Sequence, residues 1–158
     1  MNLGFEVRVA TYDDIEAIGQ ITQEAFQKYA QMVGNSNIQA LCETKEDIKN
    51  DIDNSLVLVA FMDNVPVGSV RVKVNMEEKT AYLSRFGVKV SSQNNGVGKS
   101  LMNLVDLKMK EMGIKKLMLH TGAKVTSLVR FYYGRGFYID STTKDRGYIR
   151  ALLCKDYE

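Results

Sequence analysis

The sequence predicts an α/β domain of the α+β type, built on one mixed, mostly antiparallel sheet flanked by helices. Three strand-like segments follow one another directly in the middle of the chain, which predicts an antiparallel meander. A helical segment then leads to a short apolar segment, and a strand reached through such a crossover pairs in parallel. The chain has 158 residues without a linker or internal repeat, so we treat 1–158 as a single domain.

Hydrophobic periodicity predicts the elements of the first half of the chain. Apolar and charged residues alternate over 5–10, as in a half-buried strand, whereas 56–62 is continuously apolar, as in a strand covered on both faces. Val70 begins another alternation in which Arg71 is expected to face solvent. The predicted elements are a strand over 5–10, a helix that begins after 11–14 and ends before Gly34, a polar surface helix over 44–53, and strands over 56–62, 70–76 and 81–90.

A helical stripe and several glycines predict the elements of the second half. The stripe ends before Gly113, because helix C-termini favour glycine. Its apolar residues are Val97, Leu101, Leu104, Val105 and Met112. The remaining predicted elements are a buried parallel strand over 117–120, a short helix from Leu128 to near Gly134, and strands over 137–141 and 148–155 around a turn at 143–147.

Composition excludes several classes of protein. Lysine and arginine number 21 against 19 aspartate and glutamate, so no basic surface for nucleic acid is expected. Cys42 and Cys154 lie far apart without a CxxC or CxxH pattern, which predicts neither a disulfide framework nor a metal site. The N-terminal residues 1–6 lack a signal-peptide pattern, and no apolar run is long enough to span a membrane. We therefore expect a soluble, cytoplasmic protein with no membrane partner.

A glycine-containing loop lies between the third meander strand and the following helix, where free backbone N–H groups and the helix dipole favour a phosphate. Its sequence is Gln93-Asn94-Asn95-Gly96-Val97-Gly98-Lys99-Ser100. A Walker A loop requires glycine where Gln93 stands, and a dinucleotide fingerprint requires glycine where Leu101 stands. An ATP site that uses Gly98-Lys99-Ser100 remains a minor alternative, and so does a plain helix-initiating turn.

Three segments resemble the GCN5-related N-acetyltransferases. The loop matches the Q/R-x-x-G-x-G/A pyrophosphate pattern of that family, the strand over 82–88 resembles its fourth strand, and 131–137 resembles its F/L-Y-x-x-x-G-F segment. The order of elements also matches along nearly the whole chain. The resemblance implies the acyl-CoA N-acyltransferase fold and direct acetyl transfer from acetyl-CoA to a primary amine in a ternary complex. A non-catalytic acyl-CoA sensor of the same fold is the main alternative.

The resemblance also implies how acetyl-CoA is held. Two parallel strands would splay apart, and the main chain at Phe86, Gly87 and Val88 would bond the pantetheine arm as a substitute strand. The pyrophosphate would be held by the backbone N–H groups of Gln93, Asn94, Asn95, Gly96, Val97, Gly98, Lys99 and Ser100. Lys99 can add a charge and Ser100 a hydroxyl. Val125 replaces an asparagine that is frequent in the family, and Thr126 or Ser127 can cap the next helix instead.

Acetyl transfer needs a proton donor for the leaving sulfur, a stabilised oxyanion and a neutral amine. By similarity to the family, Tyr132 is the general acid, although its spacing also suits simple packing and Tyr133 is an alternative. A backbone N–H near Phe86 would stabilise the oxyanion. His120, the single histidine, is the candidate base at the end of its strand, with a structural role as the alternative. Weaker candidates for the base are Glu24, Tyr29, Glu77 and Glu78.

The family resemblance places the acceptor pocket between the first two helices and the last hairpin. The corresponding residues are Tyr29, Met32, Val33 and Asn35 on one side and 142–148 on the other. Arg146 or Lys144 can meet an acidic group of the acceptor, and Asp145 can meet a cationic one. The acceptor stays open between a small amine, a protein N-terminus and a lysine, and a homodimer stays open as well.

Overall fold

The computed structural model describes residues 4–158, so Met1, Asn2 and Leu3 of the N-terminal segment lie outside the described residues. These described residues form seven strands and four α-helices. In order they are β1 (Phe5–Val9), α1 (Ile15–Val33), α2 (Lys45–Asn54), β2 (Leu56–Met62), β3 (Val65–Asn75), β4 (Thr80–Val88), α3 (Val97–Glu111), β5 (Lys116–Gly122), α4 (Thr126–Gly134), β6 (Tyr138–Thr143) and β7 (Arg150–Asp156). Short 3₁₀ turns cover Tyr12–Asp14, Gln39–Cys42 and Val90–Ser92.

All seven strands form one sheet in the order β1-β2-β3-β4-β5-β7-β6. The neighbours β4 and β5 are parallel, and every other pair in this order is antiparallel. The parallel pair is the one that α3 connects, as a helical crossover requires. The predicted mixed, mostly antiparallel sheet is therefore confirmed.

The two faces of the sheet bury separate apolar clusters. Val57 and Val59 of β2 pack with Ile18 of α1 and Ile48 of α2. Leu58 and Ala60, which alternate with them, join the larger cluster that contains the buried side of α3. The continuously apolar β2 is thus covered on both faces, as its sequence predicted. Met112 lies outside this core because it is 37% exposed beyond the end of α3.

Local sequence signals fix the ends of several elements. Thr44 caps α2 through a reciprocal pair of hydrogen bonds with Asp47, which satisfies two backbone N–H groups of the helix start. The turn residues Asp63 and Asn64 both have positive φ, the conformation of a two-residue hairpin that matches strand twist. Because Met62 pairs with Val65 across this two-residue turn, β3 begins at Val65, five residues before the predicted start at Val70.

The position of Arg71 corrects a sequence prediction. The alternation along β3 predicted that this side chain faces solvent, but it is only 2% exposed. Its guanidinium donates to the Glu43 carboxylate at 2.6 and 2.7 Å and to Asp51 at 2.9 Å. The helical layer of α1 and α2 covers this part of the sheet, so the charge is buried and neutralised rather than hydrated.

The other boundaries agree with the predicted elements to within a few residues. The expected cap at the start of α4 is wrong, because Val125 occupies the N-cap position and Thr126 is the first helical residue, with no side-chain cap bond. No helix within residues 4–158 is long and apolar enough to cross a membrane.

Candidate active site

A cleft opens where β4 and β5 diverge. Their parallel pairing covers three residue pairs and ends at Tyr82 and Met118, although β4 continues to Val88 and β5 to Gly122. The cleft has a volume of about 760 Å³ and extends from the loop over 93–98 to the last hairpin. We call the part lined by Tyr29, Gln39, His120, Arg146 and Tyr148 the acceptor end, and the part lined by Gln93, Asn94, Gly96 and Gly98 the loop end.

One edge of β4 is free to pair with an extended ligand. The backbone N–H of Lys89 donates to the carbonyl of Val67 in β3 at 2.8 Å. Backbone groups alternate in direction along a strand, so those of Val88 and Phe86 are directed away from β3, toward the gap between β4 and β5. A bulge interrupts β4 beside these residues, where Arg85 has a φ of 51°. The carbonyl of Val88 accepts from the Gln93 side-chain amide at 3.2 Å. The pairing with β3 directs the N–H of Val88 to the same edge, where an extended ligand can accept from it.

The start of α3 presents backbone N–H groups to the cleft. The first helical hydrogen bond runs from Ser100 to the carbonyl of Gly96, so the N–H groups of Val97, Gly98 and Lys99 precede it. Gly96 has a φ of 80°, which turns the chain into the helix in the left-handed conformation that glycine favours. Unpaired N–H groups and the positive end of the helix dipole together make this a site for an anion.

Gly98 allows close approach at the loop end. A Cβ atom at this position would lie 3.0 Å from Cζ of Phe86 and 3.5 Å from Cζ of Phe131. These two rings stack with their centroids 5.6 Å apart and form one wall of the cleft. The glycine is therefore required by a contact as well as by the pattern of the loop.

Some of the remaining loop residues line the cleft, and others do not. Gln93, Asn94 and Lys99 line the cleft, whereas Val97 buries its side chain in the core and can contribute only its backbone. Asn95 and Ser100 lie outside the lining, so the structure does not bring every loop residue of the sequence prediction to the cleft.

Lys28 of α1 is a site residue that the sequence analysis missed. Its Nζ donates to Oε1 of Gln93 at 2.8 Å, and both residues line the cleft. The contact ties α1 to the loop and brings a positive charge to the loop end. A separation of 65 residues hides this contact, because no local pattern links the two positions.

Tyr132, on α4, lines the cleft. Its ring packs against Phe131, Phe137 and Phe86, with centroid distances of 5.3, 5.6 and 6.0 Å. The residue is 5% exposed, and burial raises the pKa of its hydroxyl well above the ordinary range. Among residues 4–158 no protein group hydrogen-bonds this hydroxyl, which keeps its proton available for a ligand.

His120 faces the cleft from β5 and is held by Tyr82 of β4. The Tyr82 hydroxyl lies 2.6 Å from Nδ1 of His120. Burial and then the positive charge of Arg150 lower the pKa of His120, so the imidazole is neutral near pH 7. Burial also raises the pKa of Tyr82, which therefore stays protonated.

The weaker candidates for the base have other partners. The carboxylate of Glu24 accepts the backbone N–H of Val90 at 2.7 Å. The hydroxyl of Tyr29 lies 3.1 Å from that of Tyr148, and burial raises the pKa of Tyr29 so that it keeps its proton. Glu77 and Glu78 are exposed in the turn between β3 and β4, outside the cleft.

A comparison with protein families identifies the chain. The family model described as Acetyltransferase (GNAT) family matches residues 16–137. The chain belongs to the GNAT acetyltransferase family. This match includes β4, the loop over 93–100 and the segment that contains Tyr132, which are the three segments whose resemblance pointed to the family. The enzyme is accordingly an N-acetyltransferase that depends on acetyl-CoA.

Individual relatives of this GNAT enzyme share its fold. Spermidine N(1)-acetyltransferase from Thermoplasma acidophilum is 25% identical over 150 residues, which cover 89% of this chain and 92% of the relative. The PaiA N-acetyltransferase of Thermoplasma acidophilum, solved with coenzyme A, has a TM-score of 0.86 at 23% identity and covers 98% of this chain and 100% of its own. The ribosomal-protein-S18-alanine N-acetyltransferase of Escherichia coli has a TM-score of 0.78 at 14% identity, with 96% and 93% coverage.

The GNAT cleft of this chain fits acetyl-CoA at three places. The free edge of β4 can hydrogen-bond an extended chain of amides, and the N–H groups at the start of α3 can hold a pyrophosphate. Because Gly98 has no side chain, the ligand can approach the backbone beside the rings of Phe86 and Phe131. Acetyl-CoA supplies a thioester, and hence an activated acetyl group. No cluster of three or more histidine, cysteine or acidic side chains within residues 4–158 is arranged to hold a metal ion.

Proposed function

We propose that the enzyme transfers acetyl directly from acetyl-CoA to a primary amine while both substrates occupy the cleft. The observation that carries this proposal is the continuity of the cleft from the loop over 93–98 to Arg146, with Tyr132 and His120 in the lining of the same cleft. A continuous cleft lets the amine and the thioester meet without an acetylated side chain, since proximity alone supplies much of the rate.

Tyr132 acts as the general acid in this proposal. As the amine nitrogen bonds to the acetyl carbon and the carbon–sulfur bond breaks, the sulfur gains a proton from the Tyr132 hydroxyl. The raised pKa of Tyr132 supports this role, because the buried hydroxyl enters the reaction protonated at every working pH. A backbone N–H at Phe86, on the free edge of β4, stabilises the charge that develops on the carbonyl oxygen.

His120 takes the proton that the amine loses, directly or through a water molecule. The role requires the tautomer in which Nδ1–H donates to the Tyr82 oxygen, which leaves Nε2 free to accept a proton. The lowered pKa of His120 supports the role, because a base must be neutral before it can act.

The names of the relatives support an amine as the acceptor and do not select one class of amine. By its name, the Thermoplasma acidophilum relative acts on spermidine, so polyamines belong in any panel of acceptors. We expect the enzyme to act as a single domain over residues 1–158, in the cytoplasm, and we leave its oligomeric state to measurement.

Thermal unfolding with acetyl-CoA, CoA and Mg-ATP, followed by assays of an amine panel, tests the proposal. A ligand that binds only the native state raises the unfolding midpoint, and we expect this shift with both CoA ligands and not with Mg-ATP. Release of CoA that depends on an added amine, with one acetylated amine per CoA, is the expected activity. Binding of acetyl-CoA without acetylation of any amine would instead support a sensor, and a shift with Mg-ATP alone would support the ATP site.

A further inference from the structure

The charges that line the cleft are unbalanced. Asp51 is the one acidic lining residue within residues 4–158. The positively charged lining residues are Lys28, Arg85, Lys99, Arg146 and Arg150. The two lysines lie toward the loop end, where Lys28 bonds Gln93 and Lys99 belongs to the first turn of α3, and the phosphates of acetyl-CoA account for them. The phosphates do not account for the three arginines Arg85, Arg146 and Arg150.

Each acidic group near these arginines is already paired. Glu43 accepts from Arg71 at 2.6 Å and from Arg85 at 3.3 Å, and Asp51 accepts from Arg71 at 2.9 Å. On the hairpin side, Asp145 accepts from Arg150 at 3.2 Å. The carboxylates at this end therefore neutralise the guanidinium groups of the protein and leave little negative charge for a ligand.

Arg146 is the arginine of this group that pairs with none of these carboxylates. Its hydrogen-bond partner in the described chain is the neutral amide of Gln39, where Nη1 donates to Oε1 at 3.2 Å. Together with Arg150, it contributes to the positive environment that lowers the pKa of His120. Arg146 also lines the cleft, so an anionic group of a bound ligand can reach it.

The hairpin that carries Arg146 is held in place by Tyr29 of α1 and by Asn35 and Gln39 in the segment after this helix. Nδ2 of Asn35 donates to the carbonyl of Arg146 at 3.2 Å. The hydroxyl groups of Tyr29 and Tyr148 lie 3.1 Å apart just beyond the same turn. With the Gln39 contact, three interactions fix the turn against the end of α1 and the segment that follows it, so less conformational entropy is lost when Arg146 binds a ligand.

We infer that the acceptor is a primary amine that also carries a carboxylate, which Arg146 binds at the acceptor end. A guanidinium matches a carboxylate with two parallel hydrogen bonds, whereas a polyamine would bring further positive charge toward a guanidinium that no carboxylate pairs with. This inference rests on the proposed acetyl transfer and makes its acceptor more specific. It also separates this enzyme from the relative that is named for spermidine.

Matched pairs of amines test the inference. Arginine and agmatine, and phenylalanine and phenethylamine, differ only in the carboxylate beside the reacting amine. We expect kcat/KM to favour the carboxylate member of each pair by about 10-fold or more, the range of a charge-assisted hydrogen bond. Spermidine is included as the polyamine, and mass spectrometry identifies the product.

Variants at Arg146 show whether this residue reads the carboxylate. Arg146→Gln should raise KM for the carboxylate member by roughly 10- to 100-fold and change KM for the decarboxylated member far less. Because Arg146 also lowers the pKa of His120, both members are compared at a pH above that pKa, where little change in kcat is expected. Arg146→Lys should retain part of the preference, because a lysine keeps the charge without the paired geometry. Lys110→Gln removes one positive charge from the exposed end of α3, away from the cleft, and is expected to change neither.

The outcomes separate this inference from the proposed function. Acetylation of spermidine or the decarboxylated amines in preference to their partners would overturn the inference and leave acetyl transfer intact. Titration calorimetry with CoA present measures binding without turnover. Arg146-dependent binding of the carboxylate amine without acetylation would uphold the preference and overturn the transfer. Neither binding nor acetylation of any amine would overturn both.

Discussion

The hydroxyl of Tyr82 lies 2.6 Å from Nδ1 of His120 and joins β4 to β5 beside the point where the two strands separate. Tyr82 belongs to the last paired position of the parallel strands, and His120 lies two residues beyond its partner Met118 on β5. The hydrogen bond therefore fixes the orientation of the histidine beside the cleft that opens between the two strands.

Removal of the Tyr82 hydroxyl should weaken the base without removing it. We expect Tyr82→Phe to lower kcat by about 10-fold, because the imidazole loses the partner that sets its tautomer and orientation. The pH dependence of kcat/KM should shift as well, an effect that a purely structural role would not produce. Tyr138→Phe removes an exposed hydroxyl bonded to Asp156 and serves as the control, with no change in either quantity.

The pH profile should report His120 directly. The groups that influence it are Tyr82, Arg146, Arg150 and Asp145, and burial together with the two arginines outweighs the aspartate, so its pKa lies below the ordinary value. Since only neutral imidazole accepts a proton, kcat/KM should have an acidic limb in which it falls as the pH drops through this lowered pKa. This limb is separate from the one at higher pH that reports protonation of the free acceptor amine.

A variant assigns that fall in rate to the histidine. His120→Gln should reduce kcat/KM by about 10²-fold and abolish the acidic limb of the profile. Retention of the same limb in the variant would show that another group titrates, and an unchanged rate would remove His120 from the mechanism.

The contribution of Tyr132 to the rate should come from its hydroxyl and not from its ring. We expect Tyr132→Phe to lower kcat by about 10²- to 10⁴-fold while KM for acetyl-CoA and the unfolding midpoint stay close to those of the native enzyme, because the aromatic packing is preserved. Tyr133→Phe is the matched comparison, since the neighbouring tyrosine is 74% exposed. Equal activities of the two variants would contradict the assignment of the acid.

Gly98 should control the affinity for acetyl-CoA. A methyl group there would lie 3.0 Å from the Phe86 ring and push the wall into the cleft. We therefore expect Gly98→Ala to raise KM for acetyl-CoA by about 10-fold, which corresponds to about 1.4 kcal/mol of binding free energy. Gly134→Ala is the control, because a Cβ atom at that position meets no atom within 4 Å. An unchanged KM in Gly98→Ala would argue against the close approach.

The buried ion pairs of Arg71 should dominate the charge-dependent part of stability. Arg71→Met leaves Glu43 without its principal partner, and we expect it to lower the free energy of unfolding by about 3–5 kcal/mol, as measured in urea. The exposed pair of Lys49 and Asp53 provides the comparison, and Lys49→Met should leave the urea midpoint nearly unchanged. A loss of equal size in both variants would show that burial of Arg71 has no special weight.

Local patterns predicted the fold and the loop end of the site. The meander, the crossover to β5 and the capped start of α2 depend on periodicity and on residues within one turn of each other. The left-handed Gly96 and the N–H groups of α3 belong to the same loop, so its motif indicated both together. These features were predictable because each is set by neighbouring residues.

Long-range contacts were beyond the reach of the sequence. The bond between Tyr82 and His120 spans 38 residues, and the side chain of Arg71 finds Glu43 across 28 residues. A charged residue that alternates with apolar ones predicts a solvent-facing side, and only the covering layer of α1 and α2 reverses this for Arg71. The acceptor end likewise depends on a hairpin that Asn35, beyond the end of α1, holds through a hydrogen bond to the carbonyl of Arg146, 111 residues away.

Initial-velocity kinetics with acetyl-CoA and an acceptor amine both varied test direct transfer most plainly. The account predicts double-reciprocal lines that intersect, because both substrates must be bound before the amine attacks, and no acetylated protein after incubation with acetyl-CoA alone. Parallel lines, together with one acetyl group recovered on the protein by mass spectrometry, would show a covalent intermediate and contradict the account.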